Sequence, residues 1–169
     1  MTQITKQHPK PTLRIKRFAE FMQNHPIGIL SSVTPDGDPY GVAIYYTFDN
    51  NFNIYFLSRD GARKCENISR NNHVMLSAVD PKTQTSLQIS ATCSQVTEPK
   101  QIKQLLDEII NISMKTSGGK LPPVSKITTK SLVAIKLIPV QMRMATYANS
   151  TNDNEVSPFE SIESFDLVS

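Results

Sequence analysis

Between Phe56 and Asn72 the chain reads FLSRDGARKCENISRNN, which places a hydroxyl (Ser58), a glycine (Gly61) and two adjacent cations (Arg63 and Lys64) in one passage from a strand into a helix. The cations have the wrong sign for that place. A helix N-terminus exposes unpaired N–H groups and carries a partial positive charge, so a cation in the first turn costs about 0.3 kcal/mol or more unless something negative faces it. A terminal phosphate would resolve the conflict. It is a dianion that seeks charge-assisted hydrogen bonds, and hydroxyl, guanidinium, ammonium and backbone N–H donors all lie within this one turn. Gly61 would let the main chain pass close to such a ligand. Taken on these residues alone, two solvated surface cations are the commoner case.

The elements that must position this turn are legible on either side. TLRIKRFAEFMQNH puts Leu13, Phe18, Phe21 and Met22 near one helical face, with Thr12 as N-cap candidate and Pro26 as the stop, which predicts a helix over Leu13–Asn24. IGILSSV, YGVAIYYTF and FNIYFLS follow as short runs rich in β-branched and aromatic residues, joined by the turns TPDGDP and DNN, and predict an antiparallel meander. A helix over Ala62–Arg70 then leads to the strand HVMLSAV. A Pro-Lys-Thr-Gln turn and the long strand TSLQISATCSQVT come next, and Glu98–Pro99 open a helix over Lys100–Ser113. After the loop KTSGGKLPPVSKITT, the run SLVAIKLIPVQMRMATYA is the last strand. Six strands with few helices predict a mainly β fold with flanking helices, closed or nearly closed as a barrel because closure removes exposed edges.

Charge is segregated along the chain. Net charge over the 169 residues is +3, yet residues 1–17 hold Lys6, Lys10, Arg14, Lys16 and Arg17 with no acid, and residues 150–169 hold five acids with no base. The expected organisation is a basic arm over 1–11, one domain over 12–148 and an acidic, mobile tail over 149–169, although Phe159, Ile162 and Phe165 recur at helical spacing and could dock. The arm lacks the interleaved aromatics or Gly-Arg repeats of a nucleic-acid binder, so it is read as solvated or self-associating. No apolar run reaches membrane-spanning length and no signal-peptide block opens the chain, which points to a cytoplasmic protein. Cys65 and Cys93 are read as free thiols rather than a disulfide, since neither close spacing nor a His partner marks a zinc site. His8, His25 and His73 form no metal-ligand pattern. Ser32, Ser58 and Ser90 lack a nucleophile-elbow context, and Gly118–Gly119–Lys120 is not a phosphate loop of the Walker type.

The ordered run TPDGDPYGVAIYYTFDNNFNIYFLSRDGARKCENISRNNHVMLSAVD resembles the pyridoxamine 5′-phosphate oxidase-like family, the FMN-binding split β-barrels. Strand, hydroxyl residue, short loop, Arg-Lys, helix, Asn-rich turn and apolar strand recur here as Ser58, Arg63 with Lys64, Arg70–Asn72 and HVMLSAV, and the likeness covers about Ile27 to Val96. It implies a six-stranded antiparallel split β-barrel that binds FMN, the phosphate held by Ser58, Arg63 and Lys64. The ring would lie along Val42–Thr47, with Ala43, Ile44, Tyr45 and Tyr46 as contacts and Leu57 beside them. Of the two tyrosines only one can reach the ring directly, the other being core or interface. Gln88 stands where the family often places a flavin-bonding Gln, although between Leu87 and Ile89 in a long strand it could equally lie on a wet face, and Arg143 could reach an anionic ligand from the last strand, an exposed strand Arg being the commoner case. The absence of a Gly-x-Gly-x-x-Gly fingerprint agrees with FMN rather than FAD.

The same resemblance implies a homodimer with a flavin between two chains, Arg143 and Tyr147 reaching across. Departures from the true oxidases are Val42 where they carry an Arg, no Trp, and the acidic tail. They set pyridoxamine phosphate aside and direct the comparison to the general-stress-protein and flavin-reductase branch. The expected activity is an FMN-dependent oxidoreductase acting on a small organic substrate, with NADH or NADPH as candidate donor. A non-catalytic flavin or haem carrier or sensor is the alternative, and a nucleic-acid binder acting through the basic arm is a third class.

Overall fold

The computed structural model describes residues 11–147 and 159–166. Helix α1 (Pro11–Asn24) begins two residues before the predicted start, with Pro11 in the first turn, where its missing N–H costs nothing. It buries Phe18, Phe21 and Met22, while Leu13 stays exposed. Strands β1 (Ile27–Val33) and β2 (Pro39–Tyr45) pair in register from Ile27↔Tyr45 to Val33↔Pro39, around a turn where Gly37 takes a left-handed φ of 90°. The two-residue β3 (Thr47–Phe48) pairs with β4 (Ile54–Arg59). Helix α2 (Arg63–Arg70), β5 (His73–Asp80), β6 (Thr85–Val96), α3 (Pro99–Thr116), two short 3-10 turns (Pro123–Lys126 and Thr129–Ser131) and β7 (Leu132–Tyr147) complete the predicted sequence of elements.

The sheet order is β2-β1-β5-β6-β7-β4-β3, and every neighbouring pair is antiparallel. Because β2 and β3 are consecutive pieces of one run, the sheet rolls until its two ends meet, which is the split barrel expected from the sequence. The predicted count of six strands holds for that ring only if β2 and β3 are taken as one. They separate at Tyr46, whose N–H bonds to the Pro26 carbonyl at 3.0 Å and whose hydroxyl donates to the His25 carbonyl at 2.6 Å.

An eighth strand, β8 (Phe159–Asp166), pairs with the C-terminal half of β7 from Gln141↔Asp166 to Tyr147↔Phe159. The sequence reading of a mobile tail is corrected over these residues. Strand pairing, not the helical spacing of Phe159, Ile162 and Phe165, organises the segment. Glu163 turns inward and is buried, where Arg17 of α1 donates to it. Residues 1–10, which carry most of the basic arm, and residues 148–158 lie outside the described part. Removing one partner of a buried ion pair leaves an uncompensated charge. Arg17→Ala is therefore expected to loosen β8, seen as hydrogen exchange of the Gln141–Tyr147 and β8 amides at least about tenfold faster than in the parent, with the other barrel strands unaffected.

Two cores meet at β4. Leu30, Ile54, Ile89 and Leu137 are fully buried inside the barrel with α1 across one end, and Tyr55, Leu57, Leu105, Ile109, Leu132 and Ala134 form a second core under α3. β4 therefore buries Ile54 through Ser58 without a break, which explains why its sequence does not alternate. Close packing has a local consequence at Gly28. A Cβ there would stand 2.8 Å from Leu76 Cδ1 and 3.0 Å from the Ser77 carbonyl oxygen, so Gly28→Val is expected to cost about 1–3 kcal/mol in a urea melt.

Burial also fixes two protonation states. Desolvation raises the Tyr46 phenol above its usual range, and desolvation followed by the nearby Cys65 pushes the Cys93 thiol from 9.0 up to about 12. Both groups are neutral in the native protein; the stability Cys93 contributes is complete below pH 9.0 and is lost as pH rises from 9.0 to about 12, and that of Tyr46 begins to be lost only above its ordinary 10.0. Urea midpoints should accordingly fall between pH about 8 and pH about 10.5, and Tyr46→Phe should flatten that fall.

Candidate functional site

The turn that opened the sequence reading sits at the end of β4, where Arg59 pairs with Leu132 and the chain leaves the barrel for α2. Gly61 adopts φ 67°, a conformation open to glycine at little cost, and its N–H bonds to Asp60 Oδ1 at 2.9 Å. Ala62 precedes α2 and supplies no side-chain cap. The Cys65 N–H bonds to the Ala62 carbonyl at 2.7 Å, so it is the N–H groups of Arg63 and Lys64 themselves that are left for an external acceptor.

Lys64 is half-buried and lines a cavity of about 260 Å³. Val42, Ala43, Ile44 and Tyr45 of β2 and Leu57 of β4 form one side of it, and Ile109 of α3 with Pro122, Pro123 and Val124 forms the other. Five of the residues expected from sequence, Ala43, Ile44, Tyr45, Leu57 and Lys64, are therefore brought together. The result is a slot lined mostly by apolar side chains, with Lys64 as its one charged lining residue. Chemically it suits a planar, largely apolar group that ends in an anion.

The remaining predicted residues stand elsewhere. Arg63 is exposed and holds its guanidinium 5.1 Å from the ring centroid of Tyr40, a cation–π contact that ties α2 to the start of β2. Ser58 lies in the same turn, but it is 1% exposed and its hydroxyl donates to the Arg59 carbonyl at 3.3 Å, so it turns away from the slot. Tyr46 is the inward member of the tyrosine pair, buried against the barrel core, and Tyr45 is the one that faces the cavity.

Gln88 and Arg143 are exposed on the outer face of the sheet. Register puts both in one lateral row, Ala43–Ile29–Ser77–Gln88–Arg143–Ser164, running across β2, β1, β5, β6, β7 and β8. Arg143 is four strands from Ala43, about 19 Å at the usual interstrand spacing, and so does not share the slot within one chain. The far wall was missed from sequence. Its signal was the apolar Leu121–Pro122–Pro123–Val124 inside a loop otherwise made mostly of Lys, Ser, Thr and Gly. Among the described residues no group of three or more His, Cys, Asp or Glu could hold a metal ion, and no helix is long and apolar enough to cross a membrane.

Comparison with known proteins agrees with this architecture. No curated protein matches the sequence. Among solved structures, a Clostridium acetobutylicum protein related to general stress protein 26 of B. subtilis aligns with TM-score 0.65 at 13% identity, over 93% of this chain and 96% of that one. An F420 reductase aligns with TM-score 0.59 at 23% identity, over 80% and 98% of the two chains. A haem-binding protein from Mycobacterium smegmatis aligns with TM-score 0.64 at 11% identity, over 95% of this chain and 60% of that one. At these identities the likeness is one of fold. The family described as pyridoxamine 5′-phosphate oxidase matches residues 15–144, most of the chain and all of the barrel except the last residues of β7, and on that match the protein belongs to the pyridoxamine 5′-phosphate oxidase family.

Proposed function

We propose that the protein binds FMN in the slot between β2, β4, α2 and α3 and acts as a flavin-dependent oxidoreductase on a small organic substrate other than pyridoxamine phosphate, in the cytoplasm. The observation that carries this reading is Lys64. It extends from an uncapped helix N-terminus into a cavity walled by Ala43, Tyr45 and Leu57 on one side and by Ile109 and Pro122–Val124 on the other. The donor set fits a phosphate, with Lys64, the first-turn N–H groups and Arg63 within a short side-chain swing. The apolar walls fit an isoalloxazine ring.

FMN bound there supplies hydride and electron transfer, and the chain's own residues supply grip, orientation and exclusion of water. No titratable group other than Lys64 and Tyr45 lines the slot, so proton transfer to substrate is assigned to no residue of the chain. The test is direct. The purified protein, or protein reconstituted with FMN and desalted, should absorb near 450 nm (about that wavelength for any oxidised flavin) and should lose that band anaerobically on addition of NADH or NADPH. A bound flavin that neither nicotinamide reduces would assign the chain a carrier or sensor role.

The haem-binding neighbour favours one further reading, haem in the same slot. Tyr45 is the one lining residue of a haem-ligating type. A Soret band on reconstitution with haemin, abolished by Tyr45→Phe, would establish it in place of flavin.

The working unit is proposed to be a homodimer. The exposed sheet face around the Gln88–Arg143 row carries Ile27, Ile29, Val33, Met75 and Val79, more apolar surface than a lone barrel presents to water without reason. A second chain on a twofold axis would cover it and bring Arg143 towards the other chain's slot. Light scattering of the flavin-loaded protein should give about twice the 18.9 kDa chain mass. A monomer that retains one flavin would overturn the assembly.

A further inference from the structure

The chain has two cysteines, 28 residues apart in sequence, and the fold brings both to the wall of one cavity. It shares no lining residue with the flavin slot, has a volume of about 350 Å³, and is lined by Cys65, Cys93, Asp60, Glu66, Val133 and Ile135 among others. Cys93, on β6, is 7% exposed and Cys65, in the first turn of α2, is half-buried. Nothing in the flavin reading uses either thiol.

The Cys65 S–H donates to the Arg59 carbonyl at 3.6 Å, and Cys93 is held neutral by burial. A buried, neutral Cys93 thiol narrows the chemistry. Peroxide attack and disulfide exchange proceed through thiolates. A bis-thiolate complex of a soft cation such as Cu(I) is an anion, which would have to form in a partly dewatered space beside the Asp60 and Glu66 carboxylates. A trivalent arsenical has neither difficulty. With an organoarsenic(III) oxide two S–H bonds and the As=O bond break, two As–S bonds form, and the oxygen leaves as water. Arsenic stays trivalent, sulfur is not oxidised, and the product is neutral. The cavity is several times the roughly 30 Å³ that one water occupies, so a small aryl group has room as well.

We propose that the cavity under α2 is a dithiol site that captures a trivalent arsenical, or an equivalent neutral thiophilic metalloid, through Cys65 and Cys93 together. Each sulfur raises the effective concentration of the other, which for two linked contacts strengthens binding by about 10²–10⁴-fold over one thiol alone.

The test uses the reduced full-length protein and phenylarsine oxide. Intact mass should show one adduct with both thiols lost to Ellman titration. The adduct should survive excess 2-mercaptoethanol and be removed by 2,3-dimercaptopropanol. Cys65→Ser and Cys93→Ser should each weaken binding at least about 100-fold. Removal of the parent adduct by the monothiol, or parent-like affinity in Cys93→Ser, would reduce the site to a single reactive cysteine and overturn the proposal. So would an arsenical-resistant protein that instead forms a Cys65–Cys93 disulfide with hydrogen peroxide. Should Cys93→Ser fold poorly by thermal melt, Cys93→Ala and the more exposed Cys65→Ser carry the same comparison. Flavin content plays no part in these readouts, so a failed flavin assignment leaves them unchanged.

Discussion

Replacing Arg63 and Lys64 together by alanine should strip the protein of flavin while leaving its melting temperature within about 3 °C of the parent. A hydrogen bond to a charged group is worth about 1.5–3 kcal/mol. Two lost cations therefore weaken FMN by at least about 100-fold at the tenfold-per-1.4 kcal/mol conversion. Fold stability is spared because Arg63 is exposed and rests on the ring of Tyr40, and because neither cation belongs to either core. Removing cations from the first turn of α2 even relieves an unfavourable charge in the empty protein. The measurement is flavin fluorescence titration beside a thermal melt. The single variants divide the effect. Lys64→Ala, which removes the charge in the slot, should lose more than Arg63→Ala, whose side chain rests on Tyr40. Unchanged flavin content in the double variant would move the phosphate away from this turn.

The largest stability effect is expected at Ile109. It is 1% exposed, sits in the second core with Tyr55, Leu57 and Leu132, and also forms a wall of the flavin slot. Truncation of a buried Ile to Ala costs about 2–5 kcal/mol. For a chain of this size that amounts to roughly 2–4 °C of melting temperature per kcal/mol, so Ile109→Ala should melt on the order of 10 °C lower. Ile109→Val removes one methylene and should cost about 0.5–1.5 kcal/mol. Because the same residue serves core and slot, Ile109→Ala should also loosen flavin, with an accelerated off-rate rather than a slower on-rate. A variant that melts early and keeps its flavin with parent kinetics would place the ring away from α3.

The strands of the meander and the turn after β4 could be read from the chain because their determinants are local: alternation, Asx and Gly turns, and a Gly before two cations. What was not legible depended on partners distant in sequence. Glu163 is buried because Arg17, 146 residues away, meets it, and a segment of Ser and Glu gives no local sign of that. Tyr45 and Tyr46 are equivalent in sequence, and only the Pro26 and His25 carbonyls decide which one turns inward. Gln88 and Arg143 read as plausible flavin contacts one residue at a time, whereas the register that carries them to the outer sheet face is a property of five paired strands. The meeting of Cys65 and Cys93 has no signature at all, since their spacing is set by a helix, a turn and a strand, and then by how α2 lies over β6 and β7.

The pairing of β7 has a bearing on how the protein is made. One edge of β4 accepts β3 within a few residues, but its other edge waits for Leu132–Leu137, about 70–80 residues later in the chain. At the synthesis rate of about 5–20 residues per second, a nascent chain would carry that strand, apolar from Ile54 to Leu57, for several seconds before the ring can close. β6 waits for the same segment. Barrel closure is thus a late event that hangs on one strand, which makes slow folding and a need for chaperone cover during translation properties of the topology.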